Sequence, residues 1–543
     1  MAHPQAATDQ APVKNVLIVG GGTAGWLTAA YLARTLAISQ PGGARITLVE
    51  SADIGILGVG EGTFPHIQRT LSRIGIDESV FLREAEATFK QGIRFDHWQH
   101  APGSPGRDHY FHPFQTAMTP QNLDLLPYWL LGAAGKDVPL DEAVILQKRV
   151  ADAALAPKRS GDEDYAARLN YAYHFDAVKF ARLLRMVGID LGVRHVVGTV
   201  DDVRLDESGA IAAIVTKEHG ELSADLYIDC TGFHARLIGQ ALKSPYESCR
   251  KWLFCDRAVA MQVPYDRPDA PIPSYTRATA HEAGWTWDIG LENRRGTGYV
   301  YSSDHTDDAR AEEVLRGYLG AASEGKTARA FRFEAGYRPK PWVRNCVAIG
   351  LASGFLEPLE STGIVQVEVA AALLTTLFPW AGEMETAARQ FNRVMLQRYE
   401  RAIDFLKMHY CLTQRTDSAF WRDNADAATV PDSLADLLDR WRHRPPDALD
   451  FDLNIDTFTD SSWQFVLYGM GYKTDLRAKA GAFRFMDEAK REFAAIRQQA
   501  DRALTLLPRH RDLVAQIYRH GLRPTRAPLA GSPLTSGIAG LPR

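Results

Sequence analysis

Residues 15–20 (NVLIVG) form an unbroken apolar run suited to a strand buried on both faces, and 23–35 carry Ala and Leu at helical density. A second apolar run, 45–50 (RITLVE), follows. Strand, glycine turn, helix and strand thus come in the order of a right-handed β-α-β unit. Two later runs, 226–230 (LYIDC) and 346–350 (CVAIG), lead into glycine-bearing turns and are expected to join the same parallel sheet from far away. Between them, 210–216 and 285–302 alternate or are β-branched, which predicts a second sheet of more antiparallel character. Beyond about residue 365, apolar positions recur at helical spacing within 368–378, 383–412 and 478–507, so the C-terminal third is predicted to be chiefly helical. Residues 1–14 are expected to be a flexible N terminus. The stretch from Arg523, rich in Pro, Gly and Ser, is expected to be a flexible tail.

The pattern is that of an α/β protein, doubly wound and Rossmann-like at its N-terminal end. A nucleotide-binding domain is expected over 15–375, interleaved with substrate-domain segments at about 100–165 and 240–340, and a mainly helical substrate module over 376–522. The 543 residues, 45% hydrophobic and 24% charged, exclude disorder for the bulk of the chain. Sixty-two Lys+Arg against 66 Asp+Glu leave no cationic surplus for a nucleic acid. No run of 18 uninterrupted apolar residues occurs and 1–14 does not read as a signal peptide, so a soluble, cytoplasmic protein with no membrane partner is expected. The five cysteines, Cys230, Cys249, Cys255, Cys346 and Cys411, form no C-x-x-C pair and are read as reduced packing residues, with no metal site.

Gly20, Gly22 and Gly25 fit G-x-G-x-x-G, with Thr23 and Ala24 completing the turn. The first glycine permits the tight bend, the second lets a pyrophosphate approach the backbone, and the third lets helix and strand pack closely. Glu50 ends the second strand, where an acid would hold a ribose hydroxyl. A plain glycine turn explains isolated matches of this kind. Here strand, helix, second strand and terminal acid all occur in the required order. NAD and FAD share the fingerprint, but a sheet assembled from distant segments resembles the FAD monooxygenases. No second complete fingerprint is visible for NAD(P)H, so reduced flavin is expected from a separate flavin reductase.

Four further segments narrow the resemblance: 58–63 (GVGEGT), 87–95 (ATFKQGIRF), 284–303 (GWTWDIGLENRRGTGYVYSS) and 354–364 (GFLEPLESTGI). Together they resemble the flavin-dependent halogenases of the tryptophan halogenase group. The resemblance implies Lys90 as the essential lysine and Glu360 as the carboxylate across the substrate site. It implies Ser361 between lysine and flavin, and Thr362 and Gly363 as the halide-holding backbone. Leu351, Ile364 and Val200 would be flavin contacts, and Trp285, Trp287 and Ile289 would line the route beside the flavin.

The chemistry follows from those residue types. Reduced flavin and oxygen oxidise chloride or bromide to hypohalous acid, and an amine such as Lys90 either hydrogen-bonds that acid or becomes a haloamine. A carboxylate opposite stabilises the cationic ring adduct and helps remove its proton. The residues also admit plainer roles. Lys90 lies in an amphipathic segment with Phe89, Ile93 and Phe95. Glu360 suits a helix-start acid, and Trp285 and Trp287 share one strand face as core aromatics do. Gly290 stands where the family has a proline, which predicts a less rigid segment.

Free tryptophan fits less well than an indole or another electron-rich aromatic, because 452–463 (DLNIDTFTDSSW) shows no copy of the tyrosine, acid and Phe-Trp clamp of tryptophan-specific members. Phe458 stands near where that tryptophan would be. His109 and Phe111 are expected either to stack on the substrate ring or to pack in an ordinary loop. The rival readings are an FAD-dependent aromatic hydroxylase and a flavin-binding protein without catalysis. Oligomeric state, including a homodimer, stays open.

Overall fold

The first apolar run lies in the middle of a six-stranded sheet in the computed structural model, which describes residues 11–38, 40–52, 55, 58, 60–452 and 455–523. Its order is Trp342–Val343, Cys346–Ala348, Leu226–Asp229, Asn15–Val19, Arg45–Glu50, Arg194–Val197, all parallel except the first pair. Both distant runs therefore join the sheet as expected. The strands Asn15–Val19 and Leu226–Asp229 are buried almost throughout, so they need the apolar side chains on both faces that made them legible. The edge strand Arg194–Val197 is half exposed and lacks that signal. Helix Thr23–Thr35 packs against Ala177–Asp190 and Thr362–Thr376 over this sheet.

A seven-stranded sheet follows the order Arg329–Arg332, Arg257–Pro264, Arg294–Tyr301, Gly284–Gly290, Thr276–Ala280, Gly92–Asp96, His109–Pro113. It is antiparallel except where Thr276–Ala280 meets Gly92–Asp96. The expectation that 210–216 shares this sheet is corrected. Ile211–Thr216 pairs with Val200–Leu205 and Gly220–Leu222 in a three-stranded sheet of its own, because both neighbours in sequence are hairpin partners. A second three-stranded sheet, Glu61–Gly62, Ala172–Phe175, Thr88–Lys90, joins Glu61 and Gly62 to the lysine strand through the central Ala172–Phe175.

The C-terminal part is helical, with Met384–Cys411 as its 28-residue spine and Asp460–Gly469 packed on it. The helix expected over 478–507 starts only at Met486, since Arg477–Ala482 is a separate tight turn containing Gly481. Val13 is buried and Lys14 N donates to Asp225 Oδ2 at 2.8 Å, so the end of the 1–14 segment is tied down, contrary to expectation. Residues 1–10 and 524–543, expected to be flexible, lie outside the described residues. The cysteines are unpaired. Among the described residues no helix is long and apolar enough to cross a membrane, and no group of His, Cys, Asp and Glu is placed to hold a metal.

Candidate active site

A cavity of about 880 Å³ opens at the end of the first strand, beneath the helix Thr23–Thr35. Gly20 has φ +112°, and a Cβ there would lie 2.2 Å from Cys230 O, so the bend admits only glycine. At Gly22 a Cβ would meet nothing within 4 Å, which leaves open space over the backbone. Thr23, Ala24, Glu50, Val200, Leu351 and the 361–364 turn all line the cavity, as do Trp287 and Ile289. Gly25 does not; a Cβ there would lie 1.8 Å from Gly20 O, so it serves the close packing of helix on strand. Glu50 Oε1 is 2.7 Å from His195 Nε2, a partner the sequence did not signal. Open space over the glycine turn, an acid at the second strand and free helix N–H groups at 362–364 suit an elongated dinucleotide such as FAD.

Trp285 stands back from the cavity. It is fully buried, with its ring 6.3 Å from that of Trp98. The looseness expected at Gly290 is absent: its carbonyl accepts from Thr88 Oγ1 at 2.6 Å, and a Cβ would lie 2.7 Å from Tyr265 Oη. Close packing there, not ring rigidity, holds the segment.

Ser361 adopts φ 55°, ψ 35° and opens the helix Thr362–Thr376 without a side-chain cap, leaving its hydroxyl for other work. Lys90 Nζ donates to Ser361 Oγ at 2.9 Å. Lys90 is completely buried, with the rings of Phe114 and Phe64 at 5.3 and 5.9 Å from its nitrogen. Burial brings its ammonium down to about 7, against the opposing pull of Glu360. A Cβ on Gly62 would lie 3.1 Å from both Lys90 Nζ and Ser361 Oγ, so glycine leaves the room in which they meet.

Glu360 ends the short turn Pro358–Glu360 and is also fully buried. It does not cap the helix. Its carboxylate accepts from His112 Nδ1, 2.9 Å from each oxygen, and Oε1 lies 3.1 Å from His409 Nε2. Burial alone would raise it, but His112 and then His409 hold it down at about 2, so it is ionised. His409 is itself lowered by burial, and its Nδ1 lies 2.6 Å from Tyr110 Oη.

His109 and Phe111 are turned away from this cluster, correcting the expectation that they stack there. Side chains alternate along His109–Pro113, and the face carrying Tyr110 and His112 is the one toward Glu360. His109 Nδ1 instead pairs with the exposed Asp108 at 2.6 Å, and Phe111 packs with Ala151 and Tyr275. His112 and Phe114 occupy the positions the other two were expected to hold. Phe458 does reach this cluster: its ring stacks on Phe405 at 3.7 Å and lies 5.6 Å from Phe64 and 6.3 Å from His112. Period-two alternation could have found His112. Nothing local marked His409, which arrives from a helix about 300 residues away in sequence from Tyr110.

The family model of tryptophan halogenases matches residues 15–483, and the chain belongs to that family. Tryptophan 6-halogenase SttH of Streptomyces toxytricini is 38% identical over 515 residues, 91% of this chain and 96% of that protein. The crystal structure of a tryptophan halogenase from Shewanella frigidimarina superposes with a TM-score of 0.90 at 40% identity, covering 94% of this chain and 99% of the other. A flavin-dependent halogenase from Xanthomonas campestris gives 0.84 at 36% identity, covering 95% and 100%. The resemblance first carried by four motifs thus extends over most of the chain.

Proposed function

We propose that this protein is a flavin-dependent halogenase that takes FAD in its reduced form from a separate flavin reductase, uses oxygen with chloride or bromide, and halogenates an indole-type aromatic. The observation that carries this reading is a buried amine of lowered basicity one hydrogen bond from the wall of a dinucleotide cavity.

Gly20 and Gly22 would take the pyrophosphate, Glu50 a ribose, and Leu351 and Ile364 the ring system. When bound, reduced flavin with oxygen supplies the oxidising equivalent that converts halide to hypohalous acid. The N–H groups of Thr362 and Gly363, at the positive end of a 15-residue helix, hold the halide. Ser361, which lines the cavity, receives the hydrogen bond of Lys90. The neutral Lys90 amine either hydrogen-bonds the hypohalous acid or exchanges an N–H for N–X with release of water. The halogen then passes to the aromatic carbon, and Lys90 regains its proton inventory. Glu360, held ionised, stabilises the cationic ring and accepts its proton. Phe64, Phe114 and Phe458 provide flat apolar walls for an electron-rich ring.

The test is mass spectrometry of products from an aromatic panel, with a flavin reductase, FAD, oxygen and either halide. A bromine or chlorine isotope pattern supports the reading. A gain of one oxygen makes the protein a hydroxylase, and unchanged substrate with bound FAD makes it a flavin binder only.

A further inference from the structure

Thr276 also lines the flavin cavity. It opens the strand Thr276–Ala280, in which Ala278 lies opposite Trp287 of the neighbouring strand. Side chains alternate along both strands, so Thr276 shares the face of Trp287 and Ile289, both of which line the cavity. Its hydroxyl lies 2.8 Å from His174 Nε2 and has no other hydrogen bond among the described residues. His174 is completely buried on the central strand Ala172–Phe175, where it pairs with Gly62, and its Nδ1 has no partner among the described residues.

Gly62 relates this pair to the buried amine. A Cβ on Gly62 would lie 3.1 Å from both Lys90 Nζ and Ser361 Oγ and 3.4 Å from His174 Cδ2, so lysine, serine and imidazole converge on one point. Gly62 and Ser361 line the cavity, as Thr276 does. Two hydroxyls thus stand in the cavity wall, each bonded to a buried nitrogen: Ser361 to Lys90 and Thr276 to His174.

Burial first, and then Lys90, hold the His174 imidazole well below its ordinary value of 6.5, so the ring is neutral with one N–H and one lone pair. If Nε2 carries the hydrogen, Thr276 accepts it and keeps its own hydrogen free. If Nδ1 carries it, Thr276 donates to Nε2 and keeps its lone pairs. Hypohalous acid offers both an O–H and an oxygen acceptor, so it bonds to Thr276 with either tautomer. Trp287 and Ile289 on the same face are apolar walls, against which a small polar molecule without a hydrogen bond is disfavoured.

We infer that Thr276 is a binding residue for hypohalous acid on its way from the flavin cavity to Lys90, and that His174 is the positioning residue that holds the Thr276 hydroxyl. The inference rests on the halogenase reading. Only hydrogen bonds are exchanged at Thr276, so no bond to halogen forms or breaks there and no further oxidant or reductant is needed. The hydroxyl retains the acid beside Ser361 and Lys90, which favours capture by the amine over escape into solvent.

The experiment compares wild type, Thr276→Val, Thr276→Ser, His174→Leu and His174→Gln, with FAD, reductase, oxygen, bromide and indole. It measures brominated indole beside hypobromite captured by a trap. Valine keeps the branched shape of threonine and removes the hydroxyl. Thr276→Val is expected to lower the ratio of brominated indole to trapped hypobromite by about fivefold, the worth of one neutral hydrogen bond. FAD affinity, KM for indole and the sum of the two products should stay unchanged. Thr276→Ser returns a hydroxyl and is expected to restore most of the ratio. His174→Leu should shift the ratio in the same direction as Thr276→Val, and His174→Gln, whose amide still reaches a hydroxyl, should recover it. A damaged fold lowers both products together and leaves their ratio alone, so the ratio reports the passage of the acid. A wild-type ratio in Thr276→Val, a serine variant no better than the valine one, or an equal loss of both products overturns the binding role. A wild-type ratio in His174→Leu removes His174 from its positioning role. Wild type that binds FAD but yields neither brominated indole nor hypobromite overturns the halogenase reading instead.

Discussion

Gly62 faces the point at which Lys90 Nζ meets Ser361 Oγ, so close that a methyl group there would stand 3.1 Å from each. Such a contact is tighter than side chains ordinarily accept, and the amine, as the end of a flexible side chain, gives way first. Gly62→Ala is therefore expected to push Lys90 off Ser361. Indole halogenation should fall by about tenfold or more, while hypohalous acid, no longer received by the amine, appears in solution. A hypohalite trap measured beside product formation checks this. Equal rates of both in variant and wild type would show that the contact does not matter.

Lys90 itself couples activity and stability in opposite directions. Burial brings its ammonium to about 7 from an ordinary value of 10.5, so the neutral amine needed for catalysis forms as pH rises through 7. Halogenation per bound flavin is expected to climb across pH 6–8 and level off above. Lys90→Ala should abolish halogenation and retain FAD. For stability, the folded value is depressed, so between 7 and 10.5 the unfolded chain holds more protons than the folded one. The buried lysine thus destabilises the fold fully below pH 7 and progressively less toward 10.5. Lys90→Met is expected to raise Tm, by an amount on the order of a few kcal/mol in stability at pH 7 and less at pH 9. A variant no more stable than wild type at pH 7 would contradict this.

The parts of the molecule that were legible in the sequence are those where one local stretch carries its own physical constraint. Asn15–Val19 and Leu226–Asp229 announce themselves because both faces are buried, and Gly20 because its φ forbids a side chain. Lys90 and Glu360 came from motif resemblance, and Lys90 Nζ donates to Ser361, the residue that follows Glu360. The substrate wall was misread at His109 and Phe111. The residue types were right, but the strand's alternation turns them outward and turns His112 and Tyr110 inward. His409 and Phe405 were missed because their significance lies wholly in tertiary packing: on the helix Met384–Cys411 they look like any other buried positions.

Glu360 stays ionised far below neutral pH, since His112 and His409 outweigh burial and hold it at about 2. No acid limb between pH 5 and 9 should trace to it. Glu360→Gln keeps the shape and removes the charge, and is expected to slow ring halogenation by about a hundredfold while altering hypohalite formation only slightly. The ratio of trapped hypohalite to halogenated indole reports the split. Equal loss of both would place Glu360 in the flavin half-reaction. The variant also leaves His112 and His409 facing a neutral amide, which removes the charged partner from a fully buried site. A Tm lower than wild type is expected alongside the catalytic effect, and the two are separated by measuring below both transitions.

Glu61 lines the flavin cavity next to Gly62, and among the described residues its carboxyl makes no hydrogen bond and no ion pair. Burial alone raises it from 4.5 to about 7, with no neighbouring cation to offset the cost. At neutral pH it is therefore poised between a neutral acid, able to donate a hydrogen bond to the flavin, and an anion that repels the phosphates and the reduced ring. FAD affinity is expected to fall as pH rises from 7 to 9. Other ionisable side chains line the same cavity, Glu50 and His234 among them, so the pH dependence alone does not assign the group. Glu61→Gln makes the assignment: it keeps a donor that cannot ionise, and should bind FAD equally well across that range. Fluorescence quenching titrations at pH 6, 7, 8 and 9 distinguish the cases. A wild-type affinity that does not change with pH, or a Gln variant that weakens in parallel, would remove Glu61 from the flavin's proton balance.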